Sequence, residues 1–158
     1  QAGKDVIWVP TPDTLVTQML QAAKTTKDDL VFDLGSGDGK IPIAAAKQYG
    51  AKSVGIEYNA DMAELARRNA KRAGVDNLVT IITGDIFKED FSKATVLTMY
   101  LLPDLNLKLR PILTRQLKPG SRIVSHQFGM GDWVPTATDT FTDSLGASRV
   151  LYLWKVGG

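Results

Sequence analysis

The sequence predicts an α/β fold built on a doubly wound, mostly parallel sheet of seven strands with an antiparallel strand at the C-terminal edge. Over the first part of the chain, short apolar runs alternate with helical segments, which is the pattern of parallel strands joined by helical crossovers. Near the C-terminus, two extended segments at about 136–142 and 148–156 follow each other with no helix between them, so we expect antiparallel pairing there. With 158 residues, of which 44% are hydrophobic, the chain is predicted to form one domain over residues 1–158.

Each predicted element has its own signal. Residues 1–28 are predicted to form a lead-in and a capping helix, in which Thr11 would supply a hydroxyl cap and Pro12 would take the first helical position. Glycines end the second and third helices, Asn59 caps the third, and Pro111 is expected to kink or split the fourth. The other strands are predicted at 30–34, 53–57, 78–82, 94–100 and 121–125.

A glycine-rich loop follows the first strand. Residues 33–40 read Asp-Leu-Gly-Ser-Gly-Asp-Gly-Lys, and the three alternate glycines allow the backbone to turn sharply and to approach a ligand closely. A dinucleotide fingerprint requires G-x-G-x-x-G, but its third glycine would fall on Lys40 or on Pro42, depending on where counting begins. The loop therefore indicates a nucleotide cofactor other than a dinucleotide such as NAD.

Two further acids end the next two strands. Glu57 lies 24 positions after Asp33, the distance of one β-α-β unit, and a carboxylate there can accept both hydroxyls of a ribose. Asp85 follows the third strand in the same way. Each acid alone is typical of a turn or a helix cap, but three in order, together with the glycines, indicate a binding site.

Composition excludes several classes of function. Cysteine is absent, which excludes disulfides, thiolate metal sites and a cysteine nucleophile, and the single histidine, His126, argues against a metal centre. No stretch approaches the roughly 18 apolar residues that a membrane-spanning helix needs. A formal net charge of +2 does not indicate a nucleic-acid partner without a clustered basic patch.

The pattern D-x-G-x-G-x-G resembles the first motif of the class I, seven-stranded S-adenosylmethionine methyltransferases, which have a Rossmann-like fold. More narrowly, residues 8–12, 33–40 and 119–125 resemble the small mitochondrial-type protein-lysine methyltransferases, which are related to the non-SET histone lysine methyltransferases. This resemblance implies S-adenosylmethionine as cofactor, a lysine amine of a protein substrate as methyl acceptor, and the cytoplasm, where the cofactor is available. We expect a monomer or a small homo-oligomer.

The resemblance also implies roles for individual residues. Thr11 would close over the methionine end of the cofactor, which the loop residues would bind from the other side. Glu57 would hold the ribose, and residues after the second and third strands would frame the adenine. The implied cofactor-binding residues are Thr11, Asp33, Gly35, Ser36, Gly37, Glu57, Tyr58, Asp85 and Ile86.

The acceptor side of the pocket is expected after the fourth strand, at Tyr100-Leu101-Leu102-Pro103-Asp104. Many amine-modifying methyltransferases have Asn/Asp-Pro-Pro-aromatic there, and its absence disfavours adenine or glutamine-amide methylation. Tyr100 is the first catalytic candidate, because an aromatic face stabilises a cation and a phenol hydrogen-bonds an amine; packing is the alternative. His126 is the second, as a proton acceptor near pH 7, with a structural role as its alternative.

Two other functions are compatible with these motifs. Fold and cofactor do not determine the acceptor, so a small-molecule or RNA methyltransferase would have the same loop and acids. A non-catalytic S-adenosylmethionine-binding protein would also keep Asp33, Glu57 and Asp85 but would lack an accessible acceptor channel.

Overall fold

The computed structural model describes residues 12–157 and contains four helices and seven strands within that range. Their order is α1 (Asp13–Ala22), β1 (Leu30–Leu34), α2 (Lys40–Tyr49), β2 (Lys52–Glu57), α3 (Ala60–Arg72), β3 (Val79–Thr83), β4 (Val96–Met99), α4 (Pro103–Gln116), β5 (Arg122–His126), β6 (Ala137–Thr142) and β7 (Ser148–Lys155).

All seven strands form one sheet in the order β3-β2-β1-β4-β5-β7-β6. The first five strands pair in parallel, whereas β7 pairs antiparallel with both β5 and β6. The predicted fold class is therefore confirmed, with β6 as the C-terminal edge strand. The chain runs outward from β1 to β2 and β3, and then returns to β4 on the other side of β1. Ligands of doubly wound sheets bind at such a reversal of strand order, outside the carboxyl ends of the strands.

Alternation along the strands separates the two faces of the sheet. Phe32 and Leu34 of β1 point into one core, which also contains Leu105 and Leu109 of α4. Val31 points to the opposite face, into a core with residues of α1 and α2. The alternation places the side chains of Asp33, Glu57, Thr98 and His126 on this second face, at or near the carboxyl ends of their strands.

Two predictions about helices were wrong. Pro12 is the N-cap of α1 and does not take its first helical position; its carbonyl accepts from the backbone N–H of Leu15 (3.0 Å) and of Val16 (3.2 Å). Thr11, the predicted cap, lies outside the described residues. Pro111 does not split the fourth helix, because α4 continues through it to Gln116. The buried side chains of Leu109 and Leu113, on either side of the proline, anchor both halves of α4 in the same core.

Other boundaries agree with the prediction. Asn59 caps α3 by accepting from the backbone N–H of Met62 (3.0 Å), and Gly50, in the left-handed conformation, ends α2. Among the described residues, no helix is both long enough and apolar enough to cross a membrane.

Candidate functional site

The glycine loop is held against the end of β2 by backbone hydrogen bonds. The N–H groups of Gly35 and Ser36 both donate to the Ile56 carbonyl, at 2.9 and 3.0 Å. The Gly37 N–H donates to Oε1 of Glu57 at 2.8 Å. Gly35, Gly37 and Gly39 all have positive φ, between 56° and 87°, a conformation that a residue with a Cβ rarely adopts. The alternate glycines are therefore required by the shape of this turn.

Ser36 and Gly55 approach each other closely inside this loop. A Cβ placed on Gly55 would lie 2.8 Å from both Cβ and Oγ of Ser36 and 3.0 Å from Cδ1 of Ile81. Glycine in the interior of a strand often marks such a close approach. The Oγ of Ser36 is buried and has no hydrogen-bond partner among the described residues. The loop thus contains a polar group that a ligand could satisfy.

Asp33 is a buried acid beside this loop. It is 4% exposed, and its Oδ1 accepts a hydrogen bond from Oγ1 of Thr98 on the neighbouring strand at 2.8 Å. Burial raises the pKa of Asp33 to about 7; the Thr98 hydroxyl partly offsets this, and the nearby carboxylates of Glu57 and Asp38 add to it. A cation placed next to Asp33 would favour its charged form.

Glu57 connects the loop to the start of α3 through hydrogen bonds. Besides the Gly37 bond, its Oε2 accepts from the backbone N–H of Asn59 at 2.9 Å. Each oxygen therefore has one backbone donor, which leaves further lone pairs for a ligand, because an ionised carboxylate offers about four acceptor sites. Glu57 is 5% exposed, so the loop is fixed by a buried acid.

The remaining predicted cofactor residues surround the same edge. The Gly84 N–H donates to the Glu57 carbonyl at 3.0 Å, which brings the turn after β3 to the end of β2. In that turn, Asp85 is half-buried, its Oδ1 accepts from the Phe87 N–H at 2.9 Å, and Ile86 is buried in the core. Tyr58 is half-buried directly after Glu57. Thr11 lies outside the described residues.

Three aromatic rings form a cluster at the predicted acceptor side. Tyr100, directly after β4, contacts His126 at the end of β5 edge to face, with ring centroids 4.1 Å apart. The ring of Phe128 stacks on Tyr100 at a centroid distance of 6.3 Å and an interplanar angle of 24°. The structure therefore brings together the two residues predicted as catalytic and adds Phe128 to them.

His126 is not suited to be a base near pH 7. It is 0% exposed, and neither ring nitrogen has a hydrogen-bond partner among the described residues. Burial, reinforced by the positive charge of Arg149 and partly offset by Asp143, lowers the pKa of His126 to about 4. A neutral imidazole with this pKa accepts a proton only weakly at pH 7, which argues against the predicted role and favours the structural alternative.

Sequence reasoning missed two residues of this site. Thr98 is a buried polar residue within the apolar run Val96-Leu97-Thr98-Met99, and such an interruption is a usable signal in the sequence. Phe128 lies two residues beyond a strand, and its only sequence signal is aromatic character. Among the described residues, no group of three or more histidine or acidic side chains is arranged to hold a metal ion.

Comparison with known proteins agrees with this geometry. The model of the ANTKMT methyltransferase domain matches residues 33–137. A protein-lysine N-methyltransferase of Saccharolobus islandicus is 42% identical over 153 residues, which cover 96% of this chain and 94% of that protein. An adenine nucleotide translocase lysine N-methyltransferase of Mus musculus is 36% identical over 108 residues, which cover 68% of this chain and 47% of the mouse protein.

A solved structure is also closely similar. An RNA methyltransferase from Salinibacter ruber in complex with S-adenosyl-L-homocysteine superposes with a TM-score of 0.87 at 50% identity, over 94% of each chain. S-adenosyl-L-homocysteine is the demethylated product of S-adenosylmethionine, so the cofactor expected from the glycine loop is confirmed. The chain belongs to the ANTKMT methyltransferase domain family and is an S-adenosylmethionine-dependent methyltransferase.

Proposed function

We propose that this enzyme methylates the side-chain amine of lysine in a protein substrate. The observation that supports this most directly is the 42% identity to a protein-lysine N-methyltransferase over nearly the full length of both chains. The acceptor side is consistent with it, because Leu101 and Leu102 stand where an Asn/Asp-Pro-Pro motif would grip a planar amine. Leu101 is fully buried and Leu102 is exposed.

The buried acids fit the cofactor. Asp33, whose buried carboxylate a cation would stabilise in the charged form, would hold the ammonium group of the methionine moiety. Glu57 would hold the ribose hydroxyls through the lone pairs that its two backbone donors leave available. The unpartnered Oγ of Ser36 and the backbone of Gly35 and Gly37 would line the remainder of that end. Tyr58 and Asp85 would frame the adenine, whereas Ile86 is buried in the core and does not face that pocket.

The chain has little chemistry to perform beyond alignment. When bound, S-adenosylmethionine supplies a methyl group on a sulfonium, and its transfer needs orientation of the acceptor and exclusion of water. A lysine amine has an unperturbed pKa of about 10.4 and must arrive unprotonated. Removal of the amine from water at the site favours this form, because burial disfavours the charged ammonium. The Tyr100 phenol would then orient the neutral amine through a hydrogen bond.

The acceptor class is tested with S-adenosylmethionine carrying a labelled methyl group. The enzyme is incubated in parallel with a mixture of cell proteins and with total RNA, and the modified residues are mapped by mass spectrometry. We expect labelled methyl groups on lysine side chains. Label in RNA with none on lysine would contradict the proposal.

A variant connects this activity to the site. Tyr100→Phe keeps the ring and removes the hydroxyl. This variant should bind S-adenosylmethionine normally, but its rate of methyl transfer to lysine should fall about tenfold or more. Tyr49→Phe, on α2, removes the same atom from a half-buried tyrosine away from this cluster and should have wild-type turnover. Equal rates for the two variants would exclude the Tyr100 hydroxyl from the reaction.

RNA methylation is the second candidate function. It is supported by the 50% identity to a structure described as an RNA methyltransferase. The modest net charge of +2 gives it little support, because RNA-binding surfaces are usually strongly basic. The parallel incubation above distinguishes the two functions directly.

A further inference from the structure

Asn106 is a polar residue in an apolar position. It lies on the buried face of α4, which it shares with Leu105, Leu109 and Leu113, and it is 0% exposed. A leucine at this position would be buried without the cost of desolvating an amide. Hydrophobic burial alone therefore gives no reason for an asparagine, and its hydrogen bonds must be considered.

The Asn106 side chain reaches the loop that follows β5. Its Nδ2 donates to the carbonyl of Gly129 at 2.9 Å and to that of Phe128 at 3.3 Å. Both partners are acceptors, which fixes the amide orientation, since only the NH₂ group can donate. The Oδ1 is buried and has no partner among the described residues. The asparagine thus leaves one of its own polar atoms unsatisfied while it holds two loop carbonyls.

The same loop is fixed from its other sides. Ser125 Oγ donates to the Phe128 carbonyl at 2.6 Å, and the N–H of Gln127 donates to the Val150 carbonyl at 2.8 Å. Gln127 has a φ of 75°, an uncommon conformation for a residue other than glycine. Arg110, one turn after Asn106 on α4, donates to the Met130 carbonyl at 3.2 Å. This backbone is therefore held in one conformation that it would not adopt unaided.

The consequence of that conformation is the placement of the Phe128 ring. The ring stacks on Tyr100, which also contacts the buried His126. We propose that Asn106 is a positioning residue for the methyl acceptor: by holding the carbonyls of Phe128 and Gly129, it keeps the Phe128 ring on Tyr100 as an acceptor-binding wall. This inference rests on the proposed function, since the wall is matched to a lysine side chain.

The chemistry of the wall suits that acceptor. Two aromatic rings present an apolar surface to the four methylene groups of a lysine side chain. Their faces also attract the methylated ammonium group that forms on transfer. Phe128 is half-buried, so part of its ring remains accessible. The wall acts on the acceptor, whereas the buried acids that we assign to the cofactor lie on β1 and β2.

The positioning role is tested first without any substrate. Asn106→Leu fills the same space with an apolar group and should fold, and hydrogen exchange is then followed by mass spectrometry. We expect the amides of residues 127–131 to exchange at least tenfold faster than in the wild type. Lys108→Ala, on the exposed side of the same helix, is the control and should exchange as the wild type does. Unchanged exchange at 127–131 in Asn106→Leu overturns the proposal.

Kinetics then test whether Asn106 acts through Phe128. Asn106→Leu and Phe128→Ala should each raise the KM for the lysine substrate about tenfold, with less than a twofold change in the Kd for S-adenosylmethionine. If both residues act on one wall, the KM of the double variant for the lysine substrate should not exceed that of Phe128→Ala. If they act independently, the two increases in KM should multiply. Multiplied increases in KM would contradict the proposal. So would a loss of affinity for S-adenosylmethionine as large as the increase in KM.

Failure of this inference and failure of the proposed function give different results. If the wild-type enzyme methylates no lysine, the proposed function fails, while hydrogen exchange still reports whether Asn106 holds the loop. If the wild type methylates lysine and Asn106→Leu does so with unchanged KM, the function stands and the positioning role is excluded.

Discussion

At the scale of single residues, Asp33 shows how a binding site lowers the stability of its own fold. Its pKa of about 7 in the folded protein lies above the ordinary value of 3.8, because the carboxylate is buried. The folded state therefore binds this proton more tightly than the unfolded state. The stabilising contribution of protonated Asp33 is fully present below pH 3.8 and is lost as the pH rises towards 7.

Asp33→Asn should consequently stabilise the protein at pH 8. The shift corresponds to a cost of roughly 4 kcal/mol for the charged acid at alkaline pH, and asparagine keeps an oxygen that accepts from Thr98. At pH 5.5 the gain should be about half as large. Thermal unfolding at both pH values measures this gain. Asp76→Asn, at an exposed position, is the control, and its free energy of unfolding should lie within about 0.5 kcal/mol of the wild-type value.

The same variant should bind S-adenosylmethionine at least tenfold more weakly, as titration calorimetry would show, because a neutral amide cannot pair with an ammonium group. A stability gain that is equal at pH 5.5 and pH 8 would show that the Asp33 charge is not its source. Unchanged cofactor affinity would remove Asp33 from the site.

At the scale of elements, close packing between the glycine loop and β2 determines the shape of the part of the site that we assign to the cofactor. Gly55 is in register with Asp33 on β1 and leaves room for Ser36 in the loop above it. The sequence predicted β2 and the acid that ends it, and a glycine inside that strand was visible. Which residue fills the space it leaves could not be predicted, because Ser36 meets Gly55 only once the loop has folded back.

Gly55→Ala should destabilise the protein by about 1–3 kcal/mol and weaken cofactor binding, because the new Cβ displaces Ser36. Adding Ser36→Gly removes both atoms that lie at 2.8 Å and should restore part of the lost stability. Chemical unfolding of the wild type, the single variant and the double variant measures these differences. A double variant that is less stable than Gly55→Ala would show that this contact does not set the loop.

Helix boundaries show the same division between local and tertiary information. The Asn59 cap and the glycine that ends α2 depend on nearby residues, and both were predicted correctly. The effect of Pro111 depends on the burial of Leu109 and Leu113 in a core formed by distant parts of the chain. Of the predicted kink or split, the split is wrong.

At the scale of the whole molecule, the order of the strands brings distant acids together. Asp33, Glu57 and Asp85 lie at or just after the carboxyl ends of three adjacent parallel strands, so motif order alone was enough to predict that they share one edge of the sheet. The acceptor side was less predictable. Its contacts join residues of α4, the end of β4 and the loop after β5, and no spacing in the sequence indicates that Asn106 meets Gly129 or that Phe128 stacks on Tyr100.

We infer that this edge of the sheet binds S-adenosylmethionine and directs its methyl group towards the aromatic cluster. A crystal structure of the protein with S-adenosyl-L-homocysteine tests it most directly. We predict the amino group of the ligand within hydrogen-bonding distance of Asp33, the ribose hydroxyls on Glu57, and the sulfur on the side of Tyr100. A ligand whose sulfur faces away from Tyr100 and Phe128, or whose ribose does not reach Glu57, would contradict the account.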